Sequence, residues 1–300
     1  MSLSLYLSNS VMFFLFYLQE YTTMVNLAVA LAHEGISAFR FDFAGNGESE
    51  GSFAYANYWR EADDLRAVIQ YFCGANRAIS AILEHSKGVL KILIALRCGC
   101  LFGPRFQRVL TLCCICELAF FLFHSFLYAD LKVYSYNYVF LIEATLLINV
   151  IVGGGVVLLF ASKYHDIHNV VNLSGRYDMR GGIEERLGKD IMERIEQDGF
   201  VDVKNSTGSV EYRVTKESMM DRLNTNMHEA CLQIDKECRV LTVHGSADTI
   251  IPVQDAHEFA KIIPNHKLHI VEGANHGYTK HQAELESVVL NFIKEGLKQN

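Results

Sequence analysis

The chain has 300 residues, half of them apolar, enough to bury the core of one large α/β domain or of two smaller ones. Its formal charge of −7 and the lack of any Lys/Arg stripe exclude a general nucleic-acid binder, because phosphate binding depends on clustered cations. Eight cysteines do not form a disulfide framework, since five of them (Cys98, Cys100, Cys113, Cys114 and Cys116) crowd one short stretch, and Cys113-Cys114-x-Cys116 lacks the loop geometry and second ligand pair of a zinc site.

The first apolar run, Val11 to Leu18, has neither the leading Lys or Arg nor the A-x-A-like cleavage site of a secretory signal, so it reads as a buried strand or a frayed helix. Thr22 to His33 carries Met24, Leu27, Ala28, Ala30 and Leu31 at helical spacing with Thr22 or Thr23 as cap, and Gly35 stops it. Ile36 to Asp42 is β-rich and leads into the glycine-punctuated loop Ala44 to Ser49. Tyr58 to Phe72 reads as a second amphipathic helix. Ala78 to Leu83 reads as a strand that feeds Glu84-His85-Ser86-Lys87-Gly88, nearly the G-x-S-x-G turn that holds a serine hydroxyl clear of a sheet. The helix that should follow is missing there and resumes only at Gly154 to Ser162.

Beyond the interruption, Val170 to Ser174, Arg239 to His244 and Lys267 to Val271 are short apolar runs bounded by turn residues. Their alternation with helices predicts a parallel sheet. The charge-dense segment from about 175 to 237 reads as a helical cap over a pocket. Gln282 to Lys298 closes the chain as a helix with Leu285, Val288, Val289, Phe292 and Ile293 on one face.

Chemistry gathers at the carboxyl ends of the strands, where open parallel sheets bind ligands. One strand ends in His244-Gly245-Ser246-Ala247-Asp248 and the next in Glu272-Gly273-Ala274-Asn275-His276-Gly277. Ser86, Asp248 and His276 thus appear in the order Ser, Asp, His. A serine hydroxyl is a poor nucleophile until an imidazole takes its proton, and a carboxylate fixes the tautomer of that imidazole and stabilises its cation. His244, His257, His269 and His281 fall within expected strands or helices and read as structural or surface residues, and Gly45-Asn46-Gly47 is too short for a dinucleotide loop.

At these residues the chain resembles the α/β-hydrolase superfamily, specifically the serine aminopeptidase-like and monoglyceride-lipase-like acyl hydrolases. The resemblance is carried by Phe41 to Ser49, His85-Ser86-Lys87-Gly88, His244 to Asp248 and Asn275-His276-Gly277. It implies a three-layer α/β sandwich with a mostly parallel sheet, and hydrolysis of an ester, thioester or amide through an acyl-enzyme on Ser86, with Asp248 and His276 as partners. The expected partner is a small acyl substrate, and no cofactor or metal is implied. The backbone N–H of Lys87, after the nucleophile, is one expected oxyanion donor. The second comes in this family from a His-Gly loop, and no His-Gly pair precedes Thr22.

The expected organisation is therefore a non-family amino terminus (1–22), a hydrolase domain (23–88 and 154–300, with its amino-terminal strands truncated and a cap at about 175–237), and an apolar insertion (89–153). Three defects weaken the site: the absent His-Gly loop, the long charged Glu84 where the elbow wants glycine, and the insertion itself. Val109 to Ala129 carries eleven Leu, Ile, Phe or Val residues against Glu117, a marginal membrane span. Tyr138 to Val152 spans only by borrowing 153–159, so membrane contact through 109–161 competes with the nucleophile helix for the same residues. The expected location is cytoplasmic, or membrane-associated if the insertion enters a bilayer. Deleting the insertion rejoins Gly88 to Gly154 as one continuous elbow and helix, which suggests translated intervening sequence or a splice form. The competing reading is a non-catalytic, hydrolase-like binding protein.

Overall fold

The computed structural model describes residues 19–46, 49–75, 77–85, 92–97, 155–205 and 207–299. Helix α1 (Gln19–His33) starts a little before the expected Thr22 and gives way to Gly35, whose φ of +74° suits a residue without Cβ. Strand β1 (Ser37–Phe41), helix α2 (Tyr58–Gly74) and strand β2 (Ala78–His85) follow in the expected order. Then come strand β3 (Ile92–Arg97), helix α3 (Val156–Lys163) and strand β4 (Asn169–Leu173).

The cap contains α4 (Ile183–Leu187), α5 (Ile191–Asp198), β5 (Phe200–Lys204), β6 (Val210–Thr215), α6 (Lys216–Asn224) and α7 (Met227–Leu232). The core resumes with β7 (Arg239–Gly245), α8 (Val253–Ile262), β8 (His266–Val271) and α9 (Gln282–Gln299).

The main sheet runs in the order β1-β3-β2-β4-β7-β8. From β2 to β8 every pairing is parallel, with Leu83 opposite Val171, Val171 opposite Leu241 and Val243 opposite His269. Neighbouring strand residues send their side chains to opposite faces. Ile82, Val170 and Val240 join the core under α2 and α3, whereas Leu83, Val171 and Leu241 join the core under α1 and α9. Both faces are covered, which is why these strands read as continuous apolar runs rather than alternating ones.

Two expectations need correction. The cap is not purely helical: Val201, Tyr212 and Val214 point inward from the β5–β6 hairpin, a period-two alternation hidden by the charges between them. Nor does the whole of 89–153 stand apart from the sheet. β3, from within that span, pairs antiparallel with both β1 and β2 and separates them. The other expectations for the insertion, including its cysteines and the Val109 to Ala129 span, and that for Val11 to Leu18, lie outside the described residues.

α3 settles the competition for residues 153–161 where it is described. Val156, Val157, Leu158, Leu159 and Phe160 are wholly buried in the core under α2, so they are not lipid-facing. Among the described residues no helix is long and apolar enough to cross a membrane.

Candidate active site

Asp248 and His276 stand on the loops that leave adjacent parallel strands, so their backbones are close before any side chain is considered. Gly245 makes the approach possible. A Cβ there would lie 2.3 Å from the carbonyl oxygen of Ala274, a distance no side chain tolerates. The backbone amides of Ser246 and Ala247 then donate to Val271 and Ala274, lacing the two loops together.

The side chains meet at 2.6 Å, His276 Nδ1 to Asp248 Oδ2. The other carboxylate oxygen, Oδ1, accepts from the amides of Ile250 (2.8 Å) and Ile251 (2.9 Å). Burial by itself would raise the Asp248 carboxyl, but hydrogen bonds from His244 and His276, with that from Ile251, outweigh it and hold it well below the usual carboxylate range. A carboxylate accepts only, so His276 donates through Nδ1–H and keeps the lone pair of its neutral form on Nε2. Nε2 is buried and has no hydrogen-bond partner among the described residues.

Residues outside the expected triad hold this pair in place. His244, read as a structural or surface residue, is fully buried with Nε2 3.0 Å from the carbonyl of Ile251 and 3.4 Å from Asp248 Oδ2. Tyr278 donates from its hydroxyl to the carbonyl of Val243 at 2.8 Å, so Ser174 must donate to the Tyr278 oxygen at 2.7 Å. Both residues have positive φ, 53° for Tyr278 and 51° for Ser174, a conformation few side chains adopt unless the surroundings impose it. Thr23 of α1 donates to the carbonyl of Gly277, which also accepts from Gln282 of α9. No local sequence pattern marks the contacts of Tyr278 with Val243 and Ser174 or of Thr23 with Gly277, because each joins segments far apart in the chain.

Ser86 and Lys87 lie outside the described residues, so the structure brings together two members of the expected triad. β2 ends at His85, the residue before Ser86, and α3 begins beyond the interruption at Val156. Glu84 bridges these two ends. Its buried carboxylate accepts from the backbone N–H of Val157 at 3.1 Å, in the first turn of α3. This corrects the expectation that a charged residue cannot be housed there. A helix amino terminus offers unpaired N–H groups and partial positive charge, which suit a carboxylate.

By sequence the chain matches no protein-family description and no curated protein. By fold it is similar to a protein described as a hydrolase of Agrobacterium vitis S4, at 15% identity and TM-score 0.55 over 91% of this chain and 82% of that one. It is also similar to Est1E of Butyrivibrio proteoclasticus with ferulic acid bound, at 13% identity and TM-score 0.51 over 92% of this chain and 83% of that one. Against another Est1E structure the chain spans 57% of that chain's length, covering 48% of its own at 20% identity and TM-score 0.39. The chain has the α/β-hydrolase fold.

Proposed function

We propose that this chain is a serine hydrolase of the α/β-hydrolase type, acting on an ester, thioester or amide of a small acyl substrate. The observation that carries the reading is the Asp248–His276 pair: a 2.6 Å bond fixes the imidazole at Nδ1 and leaves a buried, unpartnered Nε2. In the proposed mechanism Nε2 takes the proton of the Ser86 hydroxyl as its oxygen attacks the acyl carbon. Asp248 stabilises the imidazolium, and the same proton passes to the leaving group as the acyl-enzyme forms. Water, deprotonated by the same nitrogen, then releases the acid. The N–H of Lys87 is the proposed oxyanion donor.

The reading includes impairment of the chain as written. Ser86 and α3 are separated in sequence by residues 87–155, and the residues before Thr22 contain no His-Gly pair. Both oxyanion donors act on one developing charge, so an interrupted elbow is proposed to weaken the preorganised stabilisation. Hydrolysis of a short p-nitrophenyl ester is expected to be at least about 10³-fold weaker than in a version lacking 89–153, carrying Glu84→Gly and given a His-Gly amino terminus. That version should lose its activity on Ser86→Ala. Equal activity of the two chains would refute the impairment. A fluorophosphonate probe that labels neither chain would refute the serine-hydrolase reading and favour a binding protein.

A further inference from the structure

His85 closes β2 and precedes Ser86 in the chain. Its Nε2 lies 2.8 Å from the backbone carbonyl of His276, 191 residues away in sequence. A carbonyl only accepts, so His85 donates through Nε2–H. Burial, and after it the neighbouring His276 ring, push the His85 pKa down to about 3, so the donor is a neutral imidazole throughout the range in which a hydrolase works. The ring also lies against both sides of the loop it grips, with centroids 5.3 Å from His276 and 5.7 Å from Tyr278.

Asp248 fixes the rotation of the His276 ring but not the approach of its loop to β2. The bond from His85 supplies that second constraint, because it runs from the strand that delivers the serine to the main chain of the residue that delivers the base. We propose that His85 is a positioning residue, which sets the approach of the His276 loop to the end of β2 and through it the reach of His276 Nε2 toward the Ser86 hydroxyl. The inference rests on the proposed hydrolase reading. A misplacement of about 1 Å between reacting groups costs on the order of 10²-fold in rate, so one such tether is enough to matter.

The test compares His85→Leu, which removes the donor at similar volume, with His85→Gln, whose amide can place an N–H near the position of Nε2. Fluorophosphonate labelling and hydrolysis of p-nitrophenyl acetate are measured in the full chain, with urea unfolding alongside. For His85→Leu the labelling rate and kcat should fall about 10- to 100-fold with KM nearly unchanged, and His85→Gln should recover most of the loss. Equal rates for Leu, Gln and the native chain would overturn the positioning role while leaving the hydrolase reading intact.

If the native chain is not labelled, the tether is judged without activity, and the hydrolase reading fails only if the restored version, lacking 89–153, is not labelled either. The His276 ring and Gly277 amide signals are followed by nitrogen-15 NMR in the same variants. Shifted and broadened signals in His85→Leu, restored in His85→Gln, would support the tether. Signals unchanged in His85→Leu would overturn it.

Discussion

His85 and His266 are both held neutral, their pKa values pushed down to about 3 and about 4. Burial is the leading cause in each, with the His276 ring adding to it for His85. In the unfolded chain a histidine takes up a proton near pH 6.5, whereas these two do not until the solution is far more acidic. Between about pH 6.5 and pH 4 the unfolded state therefore binds more protons, and stability falls as pH falls. The slope for one fully differential histidine is about 1.4 kcal/mol per pH unit, and less here because both side chains keep some solvent contact. Asp248, whose carboxyl is depressed, contributes stability above the ordinary carboxylate range and loses it only at lower pH. Urea midpoints at pH 7.5, 6 and 5 should decline in that order, and His85→Gln should flatten the decline. Midpoints independent of pH across this window would refute the assignment of His85 and His266 as buried neutral groups.

α3 depends on a side chain from another element. It is eight residues long, buried from Val156 through Ser162, and begins at Gly155, which has no capping side chain. Glu84 supplies the cap from β2, tying the helix to the end of that strand although Val157 is 73 residues away in sequence. Glu84→Ala in the chain as written should cost about 1–2 kcal/mol, since it removes both the N–H acceptor and the charge that complements the helix end. Glu84→Gln, which keeps an acceptor and loses the charge, should cost less. Thermal or urea unfolding of the two variants decides this, and a neutral Glu84→Ala would refute the capping role. Glu84→Gly acts differently in two contexts. It restores the elbow motif where the chain is rejoined, but in the chain as written it only removes the cap.

For the whole molecule, the decisive feature is β3. It lies between β1 and β2, which run parallel to each other, and it bonds to both. Deleting 89–153 therefore does more than rejoin Gly88 to Gly154: it removes a strand from inside the sheet and opens two ladder edges, an invitation to aggregation. The deletion alone is expected to give insoluble or non-cooperatively unfolding protein. The deletion combined with an added amino-terminal strand should fold, because a strand is again available for the gap. Cooperative unfolding of the deletion by itself would show that β1 and β2 can pair without an intervening strand. Transcript reads bear on the origin of the segment: reads joining the Gly88 and Gly154 codons, with none inside, would mark it as intervening sequence, and abundant internal reads would mark it as part of the protein.

What was legible in the sequence is what local periodicity and turn chemistry encode. Apolar runs closed by glycine located β2, β4, β7 and β8, and their carboxyl ends located Asp248 and His276, because a parallel sheet places successive strand ends along one edge. The β5–β6 hairpin was written there too, as Tyr212 and Val214 alternating with charges, but charge density drew the reading toward helix. The rest is decided by contacts between distant segments. Nothing near Glu84 in sequence indicates that its carboxylate caps a helix starting at Val156, and nothing near His85 indicates that it donates to the carbonyl of His276. Likewise, only tertiary structure decides that Ile92 to Arg97 becomes an interior strand, since a strand has no stability until its partners supply the other half of each ladder. Sequence by itself determined which residues could do chemistry, because side-chain type and strand-end position are local. Tertiary structure alone determined which of them meet, because burial and hydrogen bonding join residues that the chain keeps far apart.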